Sequence, residues 1–582
     1  MLRLLRKMRP REILMCLACA ACIMGQVFFD LRLPDYMSQL TVLIQTPGSE
    51  MSQIWINGLE MLGCVAASAV LCIGCGYLAA RTASGFTYAV RSDLFRHVMG
   101  MGQQEMLRFS VPSLITRTTN DVMQVQMAFA MGMQNIIKAP VMAVWAVMKI
   151  MGKSWQLSMV TAGFVVVMCL SVLGILMAVM PRFRIVQKIT DSINRVAREN
   201  LTGINVVHAF NAEGYQNAKF DETNTKMLRL QLFNQRMMSL MQPIMQFGLN
   251  TLSLTIYWVG AALLSGTAIA MRLDMFSDLV VFSTYATHVV MSFMMLVMIF
   301  MMLPPAQVSA ERINAVLDTV SSVKEGSREV GTEVGTIEFK NVGFYYPGAL
   351  EDELVNINFR VEKGETLAII GATGSGKTTL INLIARFYDA TRGEVLLDGV
   401  NVKEYAFSDL YSRIAYVPQR AVLFSGSIAE NVAFGEGTKP IGEKEIEDAI
   451  ALAQAAEFVG KLEEGTAHRI AQGGRNVSGG QKQRISIARA LARGAEILIF
   501  DDSFSALDYR TDAALRAGLN EQLKGTTRII VAQRVSTIRH ADRILVLEDG
   551  RIVGNGKHDE LMAKCSVYRE IAKSQLSESE LA

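Results

Sequence analysis

The stretch Thr366-Leu-Ala-Ile-Ile-Gly-Ala-Thr-Gly-Ser-Gly-Lys-Thr378 decides the fold of the C-terminal half of this chain. Its first five residues form a short apolar run, which predicts a buried strand. The pattern G-x-x-x-x-G-K-T follows at once, and its glycines let consecutive backbone N–H groups turn toward phosphate oxygens at a helix N-terminus. This strand–loop–helix unit predicts an α/β nucleotide-binding domain.

The same loop supplies two groups for the chemistry of a bound nucleotide. Lys377 offers a point charge to the outer phosphates, and the Thr378 hydroxyl can ligate Mg²⁺. We therefore predict ATP and Mg²⁺ as cofactors. The predicted phosphate-binding residues are Gly371, Thr373, Gly374, Ser375, Gly376, Lys377, Thr378 and Thr379.

A second motif lies about 120 residues further along, at Ile497-Leu-Ile-Phe-Asp501-Asp502. An apolar strand that ends in carboxylates brings Asp501 to the metal without a flexible arm, which is the Walker-B arrangement. Other strand-like runs, at 413–417 and 528–531, alternate with helical stretches. That alternation is typical of an α/β domain with a parallel sheet.

Composition divides the 582 residues into two unlike halves. The chain is 51% hydrophobic and 19% charged with a net charge of +3, but residues 1–310 hold only 24 of the 57 Lys/Arg and 15 of the 54 Asp/Glu. They also hold 34 of the 35 methionines. Collagen-like, disordered and small disulfide-rich classes are excluded. The averages describe a membrane half joined to a soluble half.

Long stretches without charge predict six membrane-spanning helices, because about 20 apolar residues cross the hydrocarbon core. The predicted spans are 13–33, 57–80, 128–149, 154–178, 240–265 and 277–300. Basic residues crowd before the first span and in the loops 81–121 and 182–236, so the positive-inside rule places both termini in the cytoplasm. The basic excess therefore reflects topology, and no nucleic-acid partner is expected. A cleavable signal peptide is the less favoured interpretation of the first span, since five spans follow it.

Three features of the membrane half allow more than one interpretation. Seven of the eight cysteines lie in the spans, where small residues favour helix packing over a metal or redox site. Lys138 either snorkels to the inner interface, which we favour, or has a functional role at membrane depth. Methionines at 291, 294, 295, 298, 301 and 302 either form a stripe for varied apolar ligands or reflect ordinary packing.

Between the two nucleotide motifs stands Val477-Ser-Gly-Gly-Gln-Lys-Gln-Arg484, and here the chain resembles the ABC transporter ATPases. The resemblance extends to Tyr346, Gln419 and the segment Ser505-Ala-Leu-Asp508. It implies an adenine-stacking role for Tyr346, a metal and catalytic role for Gln419, and nucleotide contacts from Ser478, Gly479, Gly480, Gln481 and Asp508. Segments 113–121 and 194–200 are similar to the family's cytoplasmic loops.

Six spans followed by one such domain resemble a half-size ABC exporter. The implied fold is an α-helical transmembrane domain (1–318), a linker (319–335), an α/β P-loop ABC domain (336–575) and a tail (576–582). The resemblance implies a multi-pass protein of a bacterial cell membrane, paired with a second half-transporter in the lipid bilayer. ATP-driven export of a small amphipathic substrate, such as a drug, is the expected activity.

Two positions depart from the family pattern. The catalytic Glu that follows the Walker-B Asp is Asp502 here, and the switch-loop His is Gln533. Shortening the carboxylate by one methylene withdraws it by about 1.5 Å, which costs on the order of 100-fold where geometry controls rate. Gln cannot carry a proton or positive charge near neutral pH. The departures resemble the degenerate subunit of heterodimeric exporters, whose partner supplies the intact Glu and His.

Other interpretations remain open at this point. The chain could form a homodimeric exporter of lipid or peptide in which Asp502 and Gln533 are tolerated variants. It could also be a regulatory subunit that binds ATP without pumping.

Overall fold

The computed structural model describes residues 2–46, 48–151, 154–265, 272–327, 334–435 and 440–576. They form two compact units, Met1–His97 with Pro112–Asp318 and Val98–Val111 with Thr319–Ala582. The segment 98–111 thus groups with the C-terminal unit, although the sequence predicted it within the domain 1–318. Residues 328–333 of the predicted linker and 577–582 of the predicted tail lie outside the described residues.

The N-terminal unit contains six helices that are long and apolar enough to cross a membrane. They are α1 (Pro10–Gln45), α2 (Met51–Met99), α3 (Val122–Met151), α4 (Trp155–Thr202), α5 (Glu213–Ser265) and α6 (Arg272–Leu317). The six predicted spans are confirmed as helices, and every helix is longer than its predicted span. Uncharged runs mark only the membrane-spanning part of each helix. The 48 residues of α4, for example, extend for about 70 Å at 1.5 Å per residue.

Short helices lie between the long ones. Gln103–Phe109 follows α2, and Ile204–Ala209 joins α4 to α5. The two segments that resemble the family's cytoplasmic loops are themselves helical. Residues 113–121 lie in an α-helix, Val111–Thr116, and a π-helical turn that leads into α3, and residues 194–200 lie inside α4.

Packing in this unit joins α3 to α6 and α4 to α5, and α1 contacts both α3 and α6. Buried apolar side chains from these helices form one core that includes Ile23, Met142, Ile256 and Phe282. Cys19 of α1 and Cys75 of α2 are buried with their Sγ atoms 3.4 Å apart, which is a packing contact between free thiols. Snorkelling was the favoured interpretation of Lys138; in the structure its side chain is 19% exposed and pairs with Asp30 of α1.

The C-terminal unit contains two principal sheets. The strands are β1 (Ile337–Phe344), β2 (Leu354–Val361), β3 (Thr366–Gly371), β4 (Arg392–Leu397), β5 (Val400–Asn401), β6 (Ile414–Val417), β7 (Gly426–Ser427), β8 (Arg469–Ile470), β9 (Ile497–Asp501), β10 (Thr527–Val531), β11 (Arg543–Glu548) and β12 (Arg551–Gly556). One sheet has the order β2-β1-β4-β5, the other has the order β12-β11-β3-β10-β9-β6, and β7 pairs with β8. In the larger sheet only β12 is antiparallel to its neighbour.

The larger sheet is covered on both faces. Every residue of β9 and β10 is buried, including the charged residues Asp501 and Arg528. One apolar core fills the space between the two sheets, and the other lies between the parallel sheet and the surrounding helices. The helices of this unit are Gln103–Phe109, α7 (Lys377–Ile384), Val402–Glu404, Phe407–Arg413, Ile428–Val432, Glu443–Leu452, Ala456–Gly460, Gly465–Ala467, Gln472–Gly474, α8 (Gly479–Ala492), α9 (Tyr509–Gln522), Val535–Ile538, His558–Lys564 and Ser566–Gln575.

Parallel strands place their carboxyl ends at one edge of the sheet, and ligands of open α/β sheets bind there. The strands β3 and β9 each pair with β10 in parallel, so the loops that follow them open at the same edge. This edge holds the candidate site.

Candidate nucleotide site

The phosphate loop connects β3 to α7, as the sequence predicted. Gly376 precedes the helix with φ of 93°, a left-handed conformation that glycine adopts without strain. The Lys377 ammonium group donates to the carbonyl oxygens of Gly371 at 2.9 Å and Ala372 at 2.6 Å. These hydrogen bonds hold the Lys377 side chain over the phosphate loop, where we expect it to contact the outer phosphates. Burial lowers the pKa of Lys377, and the nearby Asp502 and Asp501 carboxylates oppose that shift.

Position 371 requires glycine, because the backbone of Leu547 lies too close to it for a Cβ atom. A Cβ atom at this position would lie 2.2 Å from the backbone oxygen of Leu547 and 2.6 Å from Ser375 Oγ. Gly371→Ala should lower the free energy of unfolding by about 2–4 kcal/mol, because the Leu547 carbonyl belongs to β11 and cannot move alone. Chemical denaturation of the detergent-solubilised protein measures the loss.

The matched control is Gly525→Ala, because nothing lies within 4 Å of a Cβ at Gly525. We expect that variant to unfold within about 0.5 kcal/mol of the unmodified chain. Equal stability of the two variants would contradict the packing at Gly371.

Asp501 lies at the end of β9, and two hydroxyl groups donate to it. Thr378 Oγ1 lies 3.3 Å from Asp501 Oδ1, and Tyr416 Oη lies 3.1 Å from Oδ2. Burial raises the pKa of Asp501, and the hydrogen bonds from Tyr416 and Thr378 oppose the shift. Two of the three predicted metal ligands, Thr378 and Asp501, therefore have adjacent oxygens.

Asp502 accepts hydrogen bonds from two amide side chains. Gln419 Nε2 lies 3.2 Å and Gln533 Nε2 lies 2.9 Å from the same oxygen, Asp502 Oδ2. The Asp502 backbone N–H also bonds to the Val531 carbonyl at 3.0 Å. Burial raises the pKa of Asp502, and the bond from Gln419 opposes that shift. The three predicted catalytic residues thus form one cluster, in which both glutamines donate to the shortened carboxylate.

The predicted adenine platform, Tyr346, lies beside the phosphate-loop helix. Its hydroxyl is 2.9 Å from Thr379 Oγ1, and its ring meets Tyr388 edge-to-face at 5.4 Å between centroids. The Phe344 ring contacts it in the same manner at 4.9 Å. These contacts fix the orientation of a half-buried aromatic ring next to the predicted nucleotide residues.

The signature residues stand at an exposed helix N-terminus. Ser478 is the N-cap of α8 and exchanges hydrogen bonds with Gln481, whose N–H donates to Ser478 Oγ and whose Oε1 accepts from the Ser478 N–H. Asp508 caps α9 in a similar way, and its pKa is lowered by hydrogen bonds from Thr511. Across the described part of the chain, no hydrogen bond joins residues 478–481 to the phosphate loop. The structure brings the phosphate loop together with Asp501, Asp502, Gln419 and Gln533, and leaves residues 478–481 and Asp508 outside this cluster.

Sequence reasoning missed Tyr416 and Tyr388. Tyr416 begins the segment Tyr416-Val-Pro-Gln419 that carries part of the family resemblance, but its contact with Asp501 depends on the parallel pairing of β6 with β9. Tyr388 belongs to no recognised motif, and only the structure shows that its ring packs against the ring of Tyr346. Proximity to a motif could have suggested the first of these residues; the sequence contains no comparable signal for the second.

A nucleotide loop, a Walker-B strand and an exposed signature helix on one α/β domain, joined to six membrane helices, define an ATP-driven membrane transporter. Comparison with known proteins agrees. Residues 354–505 match the family described as ABC transporter, and residues 13–302 match the ABC transporter transmembrane region. This chain therefore belongs to the ABC transporter family.

Individual relatives extend over most of the chain. It is 38% identical to an uncharacterized ABC transporter ATP-binding protein of Mycobacterium tuberculosis over 89% of this chain and 88% of that protein. It is 32% identical to the ATP-dependent lipid A-core flippase of Salmonella typhimurium over 84% of this chain and 83% of the flippase. A structure of a bacterial Atm1-family ABC exporter with ATP bound matches the fold with a TM-score of 0.82 at 21% identity, and covers 98% of this chain and 100% of that one.

The chain is thus a half-size ABC exporter, a multi-pass membrane protein that couples ATP hydrolysis to transport. Half-transporters of this kind act as dimers in the lipid bilayer. No covalent enzyme intermediate is expected, because phosphoryl transfer to water needs only positioning and charge stabilisation.

Proposed function

We propose that this chain is the degenerate-site half of a heterodimeric exporter. It binds Mg-ATP at its own phosphate loop and hydrolyses it slowly. Its exposed signature completes the catalytic site of a partner chain that carries the intact Glu and His. ATP binding closes the dimer, and hydrolysis at the partner's site reopens it.

The observation that supports slow hydrolysis is the arrangement around Asp502. A general base must accept a proton from the attacking water within hydrogen-bond reach. Here Oδ2 already accepts from both Gln419 and Gln533, and the side chain is one methylene shorter than Glu. Neither glutamine can supply the charge of a protonated His. The site therefore retains its nucleotide-binding groups but lacks an effective base.

Mg²⁺ fits the residues that remain. Thr378 Oγ1 and Asp501 Oδ1 are hard oxygen donors 3.3 Å apart at the end of the phosphate loop, and Mg²⁺ prefers one or two such protein ligands beside nucleotide phosphates. The metal would neutralise phosphate charge. Gln419 is a third candidate ligand, since its amide oxygen is still available while its nitrogen donates to Asp502.

The need for a partner chain follows from the signature. Ser478 and Gly479 are exposed, and an intact capping box holds the α8 N-terminus in a form suited to phosphate oxygens. We infer that this helix end faces ATP held by the partner. Asp508, exposed at the start of α9, would lie near the same boundary.

The substrate that we propose is a small amphipathic compound, such as a drug. A lipid is the second candidate, favoured by the likeness to a protein named as a lipid A-core flippase. Homodimeric export of lipid or peptide and a non-pumping regulatory role are the competing functions. A homodimeric exporter predicts full ATPase activity of the chain alone. A regulatory role predicts no transport by any complex that contains the chain.

We further propose that the protein lies in a bacterial cell membrane with both termini in the cytoplasm. The support is the basic residues before α1 and in the largely helical segments 81–121 and 182–236. A fluorescent protein that matures only in the cytoplasm should fluoresce when fused to either terminus. A dark fusion at either end would contradict the topology.

Purification of the tagged chain from its native membrane tests the heterodimer. We expect a second half-transporter with Glu and His at the positions of Asp502 and Gln533 to co-purify in equal amount. The complex should hydrolyse ATP at least 10-fold faster than the chain purified alone. Recovery of only this chain, with full activity, would contradict the proposal.

A further inference from the structure

Ionisable side chains of the membrane unit form two layers between α1, α3 and α6. In one layer Lys149 Nζ lies 2.6 Å from Asp35 Oδ2, and the buried Tyr285 hydroxyl lies 2.7 Å from Asp35 Oδ1. In the other layer Lys138 Nζ approaches Asp30 Oδ2 only to 3.8 Å. The first pair is tight and hydrogen-bonded, whereas the second is loose.

The loose layer, defined by Asp30, Ser68, Lys138 and His288, draws one residue from each of four helices. Ser68 of α2 donates to Asp30 Oδ1 at 2.5 Å, and the half-buried His288 of α6 lies within electrostatic range of Asp30 and Lys138. Counting 1.5 Å per residue, each of the four lies about 20–25 Å from the helix end opposite the basic loops. They therefore share one level of the helix bundle, inside the segments expected to span the membrane.

Several polar groups in this layer have unused hydrogen-bonding capacity. Within the described residues, neither the Lys138 ammonium nor the His288 ring makes a hydrogen bond. Gln26 lies one turn before Asp30 on the same face of α1, is 8% exposed, and likewise has no hydrogen-bond partner there. Ionisable side chains within membrane-spanning helices are rare and mark substrate pathways. These groups point to a ligand.

The charges of the layer indicate which ligand. A ligand with one charge would leave either Asp30 or Lys138 unpaired, which costs several kcal/mol in a low-dielectric interior. A zwitterion can replace the ion pair by two new pairs. Its cationic group binds Asp30, and its anionic group binds Lys138 and His288. Every charge then remains neutralised.

We propose that Asp30, Lys138 and His288 form a binding site for the headgroup of a zwitterionic amphiphile. The site rests on the proposed function in that this amphiphile is the transported substrate. The methionine stripe of α6 begins three residues after His288, and Met291 and Met298 are exposed. They offer an adaptable apolar surface for the alkyl chain. The stripe side chain at position 301 lies outside the described residues.

The test measures binding without ATP, so that it does not depend on the degenerate nucleotide site. The complex purified in dodecyl maltoside, an uncharged detergent, is titrated with hexadecylphosphocholine, hexadecyl phosphate and hexadecyltrimethylammonium. The three probes share one alkyl chain and differ in charge. We expect the zwitterion to bind at least 10-fold more tightly than either singly charged probe.

Variants reverse this preference in opposite directions. Lys138→Met should favour the cation, because Asp30 remains alone, and Asp30→Asn should favour the anion. The doubly exchanged variant, Asp30→Lys with Lys138→Asp, should keep the preference for the zwitterion and guards against misfolding as an explanation. The matched control Lys149→Met removes the lysine of the tight pair and should leave the order of affinities unchanged.

Equal affinities of the three probes for the unmodified complex would overturn the proposal. So would an unchanged preference in both Lys138→Met and Asp30→Asn. A different result would be equal ATP hydrolysis at both nucleotide sites together with an unchanged preference for the zwitterionic probe. That result would contradict only the degenerate-site function.

Discussion

Asp502→Glu combined with Gln533→His should raise the ATPase rate of the chain purified alone by about 100-fold. The longer carboxylate reaches the water that Asp502 cannot, and the imidazole supplies a charged donor near the outer phosphate. The phosphate loop, Asp501 and the signature are already in place. Steady-state phosphate release in lipid nanodiscs measures the change.

Two controls separate repair of the site from contamination. Adding Lys377→Ala to the double variant should abolish the gained activity, because Lys377 is the residue predicted to contact the outer phosphates. Asp502→Glu alone should recover only part of it, since Gln533 remains. The degenerate-site account is refuted if the unmodified chain already hydrolyses ATP at the rate of the double variant.

Ser478→Arg should reduce the ATPase rate of the heterodimeric complex by about 100-fold or more, comparable to the loss of a transition-state donor. The exposed α8 N-terminus would then present a bulky cation in place of the hydroxyl that we propose faces the partner's ATP. ATP binding at this chain's own loop should be unaffected. Photolabelling with an azido-ATP analogue reports binding to each chain separately.

The matched control is Ser427→Arg. Ser427 caps the helix Ile428–Val432 with the same kind of capping box, formed with Glu430, but it is outside the signature. Both substitutions remove an N-cap worth about 1 kcal/mol, so a difference in ATPase rate reports the role of the signature and not helix stability. Equal rates in the two variants would mean that the α8 N-terminus does not serve the partner's site.

The nucleotide-binding half could largely be predicted from its sequence. The four strands expected around the site were found within one residue of their predicted ends, because apolar runs between turn residues carry a strong local signal. The phosphate loop was placed correctly for the same reason. Local motifs determine this geometry.

Contacts that depend on tertiary packing could not be predicted. The convergence of Gln419 and Gln533 on one oxygen of Asp502 joins residues that are far apart in the chain. The ion pair of Lys138 with Asp30 was not predicted, because hydropathy does not identify which residue of another helix lies beside a buried lysine. Helix lengths were underestimated because polar extensions carry no membrane signal.

The central claim is that ATP persists at this chain's site while the partner turns over. The most direct measurement allows the purified complex to turn over radiolabelled azido-ATP, crosslinks the nucleotide by light, and identifies it on each separated chain. We predict ATP on this chain and ADP on its partner. ADP in equal proportion on both chains would contradict the account.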